Sequence, residues 1–277
     1  MVQANLTIFK FYINLMEYLS EALSKKYPNT SSEDPHHYET IIFKKIVHMF
    51  HSFEFLISKE QDEVSARCLL RGILDSVTTY CFIYERADEN EIMFRHYLYA
   101  LDSFDSYKKS CQVYSNANTV TQIVEDLIGQ NTEYLHNLLY YKQNRSVADT
   151  IIKSRNWKYI SLENTRSMSY KEMYKSIGFE DNLATYYAEY LSQYVHGLFY
   201  SNRKVSDNEQ LKHVLYESIP IADRMVRSFS HSLQADQMIM DYINSPTFKT
   251  FLESPDFNYH DLGTFMEAVY KKKTIIV

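Results

Sequence analysis

Apolar residues recur every three to four positions along most of the chain, which is the period of an amphipathic α-helix. The first such segment covers residues 3–26, with apolar side chains at Leu6, Phe9, Ile13, Met16, Leu19 and Leu23. The same pattern predicts helices at 35–58, 63–86, 87–114, 118–142, 180–200 and 207–234. Residues 143–178 are less regular, and we expect shorter helices after residue 234, between Pro246, Pro255 and Gly263.

The composition supports long helices. The 277 residues include only five glycines and five prolines, far below the average of about 7% and 5%. Because a many-stranded sheet needs many tight turns, a chain so poor in turn-forming residues argues against such a fold. We therefore expect an all-α fold, a bundle of about eight to eleven helices. One helical domain over 1–277 is expected, with a core at 34–201 and a C-terminal helical extension at 207–277.

The net charge and the cysteine content indicate which classes of partner and which cellular compartment to expect. The net charge of −6 argues against a surface covered in nucleic-acid-binding cations. None of the three cysteines forms a C-x-x-C pair, which suits a reducing, cytoplasmic environment. The N-terminal segment does not resemble a signal peptide, and no run of about 18 apolar residues exists. We expect a cytoplasmic protein without a membrane partner, metal or cofactor.

Two of the helices carry polar residues beside their apolar faces. On helix 180–200, Ser192 and His196 lie one turn apart at the edge of the apolar arc. On helix 63–86, a polar stripe contains Arg67, Arg71, Asp75 and Thr78. The apolar neighbours Val64 and Phe82 indicate that this stripe is covered, so its arginines need carboxylate or carbonyl partners. We expect Arg71 and His196 to come together in space.

The sequences R-G-I-L-D at 71–75 and Y-A-E-Y-L-S-Q-Y-V-H-G at 187–197 carry a resemblance. They resemble a bacterial all-helical family of unknown function with an Arg-x-x-x-Glu helix and a Ser-x-x-x-His-Gly helix, over residues 40–200. Asp75 replaces the glutamate and is one methylene shorter. More distantly, the layout is similar to HEPN and abortive-infection proteins of bacterial defence, which are often dimeric and often bind or cleave RNA.

The resemblance implies a distinctive polar set of Arg71, Asp75, Ser192 and His196. The set could be a satisfied network that pins two helices together, a ligand-binding or catalytic pocket, or a surface arrangement. A Ser192–His196–Asp75 triad is the least favoured alternative. A serine within a helix usually bonds to the carbonyl one turn earlier, and no strand–turn–helix elbow presents this one.

A second candidate site is basic and aromatic. Residues 140–175 contain eight lysines and arginines against three acidic residues, and they include the single tryptophan. Interleaved cations and rings suit single-stranded nucleic acid, so Lys153, Arg155, Trp157 and Lys158 are candidate nucleic-acid contacts. The alternative is a solvated connector that Trp157 anchors to the body.

Two weaker motifs remain. Arg224 and His231 match the Arg…His spacing of HEPN ribonucleases, but roughly one such match is expected by chance. His48, His51 and Glu54 lie roughly on one helix side, yet a metal site would need further ligands from elsewhere.

Three functions stay open from the sequence. The first is a helical ligand- or partner-binding module of a bacterial defence system, expected as a homodimer. The alternatives are a HEPN-like RNA-cleaving enzyme and a non-catalytic scaffold. The partner would be RNA or protein.

Overall fold

The computed structural model describes residues 2–28, 35–86, 88–111, 117–197, 207–233, 241–242, 244–246 and 248–249. In this part of the chain there are ten α-helices and no strand. The helices are α1 (Val2–Lys26), α2 (Pro35–Phe55), α3 (Glu63–Tyr84), α4 (Glu89–Cys111), α5 (Ala117–Asn137), α6 (Leu139–Gln143), α7 (Arg145–Lys153), α8 (Tyr170–Ser176), α9 (Asp181–Val195) and α10 (Asn208–Leu233). A π-helical turn, Leu56–Glu60, follows α2. The predicted all-α bundle is confirmed, and so is the number of helices expected.

Helix boundaries differ from the sequence pattern in three places. The helix expected at 118–142 is interrupted at Leu138, whose extended backbone (φ −61°, ψ 141°) separates α5 from α6. The irregular stretch 143–178 contains the short helices α7 and α8. The helix expected at 180–200 ends at Val195. The helices expected after residue 234 lie largely outside the described residues.

The chain divides into two compact units. Unit 1 comprises residues 1–29, 39–81 and 181–277, and unit 2 comprises residues 30–38 and 82–180. The expected organisation, one domain with a core at 34–201 and a C-terminal extension at 207–277, stays a prediction.

Unit 1 packs α1, α2, α3, α9 and α10 around an apolar core. The ring of Phe9 on α1 lies 5.7 Å and 5.2 Å from those of Phe50 and Phe53 on α2. The inner face of α3 contributes fully buried side chains at helical spacing, namely Leu70, Ile73, Leu74 and Val77. These contacts exclude water from the apolar face of α3, the helix that also carries the polar stripe predicted from the sequence.

Unit 2 is built on α4 and its antiparallel neighbour α5. Buried side chains of α4 include Phe94, Tyr97, Leu98 and Leu101. The connector after α7 is also buried: Trp157 is 4% exposed and Tyr159 fully buried. A single antiparallel bridge, between Tyr159 and Ser167, is the extended pairing in the described part of this unit.

None of the helices in the described segments is both long and apolar enough to cross a bilayer.

Candidate functional site

Arg71 joins α3 to α9 through a network of hydrogen bonds within unit 1. Its Nε donates to Asp75 Oδ2 at 3.1 Å, and its Nη1 donates to Tyr187 O and to Ser192 Oγ, each at 3.1 Å. The side chain of Arg71 is 13% exposed. A carboxylate, a helix carbonyl and a hydroxyl therefore take up this guanidinium, as a covered arginine requires.

Ser192 is occupied by two helix contacts. Its Oγ accepts the bond from Arg71 and donates to Ala188 O at 2.7 Å, one turn earlier in α9. This back-bonding is the usual state of a serine inside a helix. The hydroxyl proton thus points to a backbone carbonyl, which is not the arrangement of a serine activated by a histidine.

His196 and Gly197 end α9. The backbone N–H of His196 donates to Ser192 O and that of Gly197 donates to Tyr194 O, and Gly197 has φ +58°. His196 is exposed. The left-handed glycine directly after the last helical turn is a common helix C-cap, because glycine has no Cβ to clash there. Gly197 therefore caps the end of α9, and the described contacts join Arg71 to Asp75 and Ser192, whereas the His196 side chain is exposed.

A second cluster, centred on a fully buried arginine, lies one turn earlier along α3. Arg67 is 1% exposed, and its Nη1 lies 3.0 Å from Glu63 Oε1, while its Nη2 lies 3.3 Å from Glu217 Oε1 on α10. Arg67 also donates to the hydroxyls of Tyr190 and Tyr194, the latter at 2.8 Å, and its guanidinium stands 5.0 Å from both ring centres. Three helices therefore meet at one guanidinium.

Tyrosines complete the shell around Glu217. The Tyr186 hydroxyl donates to Glu217 Oε1 at 2.5 Å, and the Tyr187 hydroxyl donates to the Glu217 backbone carbonyl at 2.7 Å. Tyr186 stacks on Tyr190 with ring centres 4.8 Å apart. All four tyrosines of α9 thus bond to the cluster, which accounts for the abundance of this residue in the helix.

The cluster has two carboxylates for one guanidinium in a water-poor environment. Burial raises the pKa of Glu217 above its ordinary range, and Arg67 and Tyr186 act against that shift. Burial alone would lower the pKa of Arg67, but the surrounding carboxylates and tyrosines raise it. Arg67 Nε and Glu217 Oε2 are buried without a hydrogen-bond partner in the described part of the chain. Arg67 therefore favours the charged form of Glu217, whereas burial disfavours it.

Sequence reasoning placed Arg67 on a covered stripe but did not assign its partners. The signals that could have found them are the i,i+4 pair Glu63–Arg67 and the spacing of Tyr186, Tyr190 and Tyr194, four residues apart on one face of α9. No local pattern points to Glu217, which is 150 positions from Arg67.

An open groove lies on the outer side of α2, where it meets α3. Its volume is about 450 Å³, and it is lined by Ile41, Lys44, Lys45, His48, Met49 and Ser52 of α2 and Leu69 of α3. Ile41 is 51% exposed, and it lies beside the apolar side chains of Met49 and Leu69. Both lysines are exposed, and in the described part of the chain neither ammonium has an ion pair or hydrogen bond. The groove thus combines an apolar floor with unpaired cations.

The candidate nucleic-acid residues of unit 2 have different environments. Lys153 is exposed, whereas Arg155 Nε pairs with Asp105 Oδ2 at 2.8 Å. The Trp157 ring is buried, and its Nε1 donates to Asp102 Oδ2 at 3.2 Å. Lys158 Nζ lies 5.2 Å from the centre of the Tyr170 ring. The buried Trp157 has no free face on which a base could stack, and the anchoring role foreseen as an alternative describes it better.

The two weaker motifs lie on α10 and on α2. Arg224 lies in α10, while the side chain of His231 is outside the described residues. His51 Nε2 contacts Glu17 Oε1 at 2.6 Å on the surface of unit 1. Among the described side chains, no group of three or more histidines, cysteines, aspartates and glutamates is placed to hold a metal ion.

Comparisons with known proteins do not assign the chain to a family. No protein-family model, no curated protein and no solved structure matches the chain. The resemblance to the Ser-x-x-x-His-Gly family therefore stays a prediction, and the site must be judged by its chemistry.

Proposed function

We propose that the protein is a helical binding module whose binding site is the groove between α2 and α3. The single observation that carries this proposal is that the exposed Ile41 and the partly exposed Met49 and Leu69 lie in one groove with two lysines that have no ion pair among the described residues. Concave surfaces with an apolar floor and a few polar groups are the usual form of binding sites. A partner with apolar and anionic groups would be complementary to it.

The polar residues of α3 and α9 support a scaffold role beside this site. Arg71 and Ser192 have their hydrogen-bonding groups engaged between helices, and Arg67 is fully buried. A catalytic group must reach a substrate, either directly or through one water. These networks instead fix α3, which supplies Leu69 to the groove. A place in a bacterial defence system and RNA cleavage remain predictions from the resemblance.

The groove can be tested with anilinonaphthalene sulfonate, a fluorescent probe with an apolar ring system and one anionic group. Saturable binding is expected, because the rings enter the apolar floor and the sulfonate pairs with a lysine. Lys44→Glu/Lys45→Glu should weaken the binding about tenfold, a difference of about 1.4 kcal/mol.

The matched control is Lys25→Glu/Lys26→Glu, which reverses two adjacent exposed lysines at the end of α1. This control has the same net charge as the Lys44→Glu/Lys45→Glu variant. If the groove is the specific site, the control should bind the probe with the dissociation constant of the unsubstituted protein. Equal loss in both variants, or no saturable binding by the unsubstituted protein, would exclude the groove as the binding site.

A further inference from the structure

The lining residues of the groove form one continuous stripe along α2. The six lining residues of α2, at positions 41, 44, 45, 48, 49 and 52, are spaced by three and four residues, so they lie on a single helix face, which Phe55 continues. Ile41 and Phe55, 51% and 52% exposed, mark its two ends. At 1.5 Å per residue, these ends are about 21 Å apart along the helix axis. The surface is therefore long and narrow, with an exposed apolar side chain at each end.

The floor of the stripe is adaptable where α2 approaches α3. Met49 lies beside Gly72 of α3, where an added Cβ would stand 3.4 Å from the Met49 methyl carbon. The Ser76 hydroxyl is 3.9 Å from the Met49 sulfur. Methionine has three rotatable bonds and fills irregular gaps, which suits a surface that receives apolar side chains from a partner.

Charge distinguishes the possible partners. Lys44 and Lys45 carry two positive charges that are unpaired within the described segments, on a chain whose net charge is −6. A second copy that docked the same face would bring two further lysines to the interface, and like charges across an interface are unfavourable. An acidic partner would gain from both lysines.

We infer that the groove binds an acidic amphipathic α-helix of a partner protein. This inference rests on the proposed function and names the partner class for the same groove. Apolar side chains of the docked helix, three and four residues apart, enter between Ile41, Met49 and Leu69, and carboxylates beside them pair with Lys44 and Lys45. The length of the stripe matches about four helical turns, and a helix lying in a groove is a recurrent mode of peptide recognition.

The test is selection from a displayed library of helical peptides of about 16 residues with randomised surface positions. The full chain is the bait, and the Lys44→Glu/Lys45→Glu variant is the counter-bait. We expect enriched peptides with apolar residues at i, i+3, i+4 and i+7 and an excess of aspartate and glutamate. A synthetic copy should bind about tenfold more weakly to the Lys44→Glu/Lys45→Glu variant and with unchanged affinity to the Lys25→Glu/Lys26→Glu variant.

The outcomes separate this inference from the proposed function. Enrichment of basic peptides, of peptides without helical periodicity, or of none would overturn the acidic-helix partner, even if the fluorescent probe still binds the groove. Vesicles of phosphatidylglycerol form a second arm. If they, and not the peptides, bind in a manner lost with Lys44→Glu/Lys45→Glu, the occupant is an anionic lipid surface and the inference is wrong.

Discussion

Arg71 and Ser192, 121 positions apart in the chain, are joined by a hydrogen bond of 3.1 Å that ties α3 to α9. The same guanidinium nitrogen donates to the Tyr187 carbonyl, so the contact combines a side-chain and a backbone acceptor. The polar set suggested by the sequence is thus partly assembled, as a clamp between helices. Its members act on the stability of unit 1.

Replacement of Arg71 tests that clamp. Arg71→Ala should lower the free energy of unfolding by about 1–3 kcal/mol, because the half-buried acceptors on α9 lose their donor. The free energy of unfolding of Arg71→Lys should lie between those of Arg71→Ala and the unsubstituted protein. A single ammonium group cannot donate to all the acceptors that the planar guanidinium reaches. Urea denaturation followed by circular dichroism measures the difference. A midpoint for Arg71→Ala equal to that of the unsubstituted protein would contradict the clamp.

Arg67 should matter more than Arg71. Arg67→Met removes the guanidinium that pairs with the buried carboxylates of Glu63 and Glu217, and breaking a buried ion pair costs about 3–5 kcal/mol. Glu217→Gln keeps an acceptor for Tyr186 and removes one of the two negative charges, so a smaller loss is expected. Both values come from urea denaturation at neutral pH. A larger loss for Glu217→Gln than for Arg67→Met would show that the guanidinium is not the centre of the cluster.

The glycine that ends α9 gives a backbone prediction. Gly197→Ala forces a Cβ into a left-handed conformation and should destabilise the protein by about 1–2 kcal/mol. Gly129 provides the matched control, because it lies inside α5, and an added Cβ would meet nothing within 4 Å. Gly129→Ala should stabilise by up to about 1 kcal/mol. Thermal unfolding should therefore shift in opposite directions for the two variants, and a common direction would disprove the C-cap assignment.

His96 makes unit 2 sensitive to acid. Burial lowers its pKa from 6.5 to about 4, and its Nδ1 is 2.8 Å from the Tyr84 hydroxyl. Between pH 4 and 6.5 the unfolded chain binds this proton and the folded chain does not. Stability should therefore fall as the pH is lowered through that window, by up to about 1.4 kcal/mol per pH unit.

The measurement for His96 is the free energy of unfolding at several values between pH 4 and 7. His96→Gln keeps an acceptor for the Tyr84 hydroxyl without a titrating group, so its slope with pH should be shallower. His136→Gln on α5, at a side chain that is not fully buried, should leave the slope as it is. An identical slope in the His96→Gln variant would show that other groups dominate acid unfolding.

The helices could be predicted from the sequence because each buries one face, and the spacing of apolar residues records that face directly. The break at Leu138 could not, since the stretch LHNLLYY contains neither glycine nor proline. Arg155 is similar: it takes φ +52° after α7, a position where glycine is usual, and nothing local announces it. The Asp105 partner on α4 accompanies this conformation and is 50 positions away.

In the candidate site, too, contacts within one helix could be predicted from the sequence, whereas contacts between distant segments could not. The pairing of Arg71 with Asp75 lies within one helix and could be predicted from the four-residue spacing. The position of His196 just beyond the end of α9 could not be predicted, because a helical wheel does not distinguish a residue at the end of a helix from one in its interior. The groove also escaped prediction, since the lysines and the exposed Ile41 look like an ordinary solvated face until the position of Leu69 is known.

The buried environment of Trp157 has a practical consequence. It is the only tryptophan of the chain, it lies in unit 2, and its indole N–H is bonded to Asp102. Its fluorescence emission should be blue-shifted in the native protein and move to longer wavelength when unit 2 opens. Circular dichroism follows the helices of both units, so a comparison of the two signals during denaturation would show whether the two halves of the molecule melt together or in sequence.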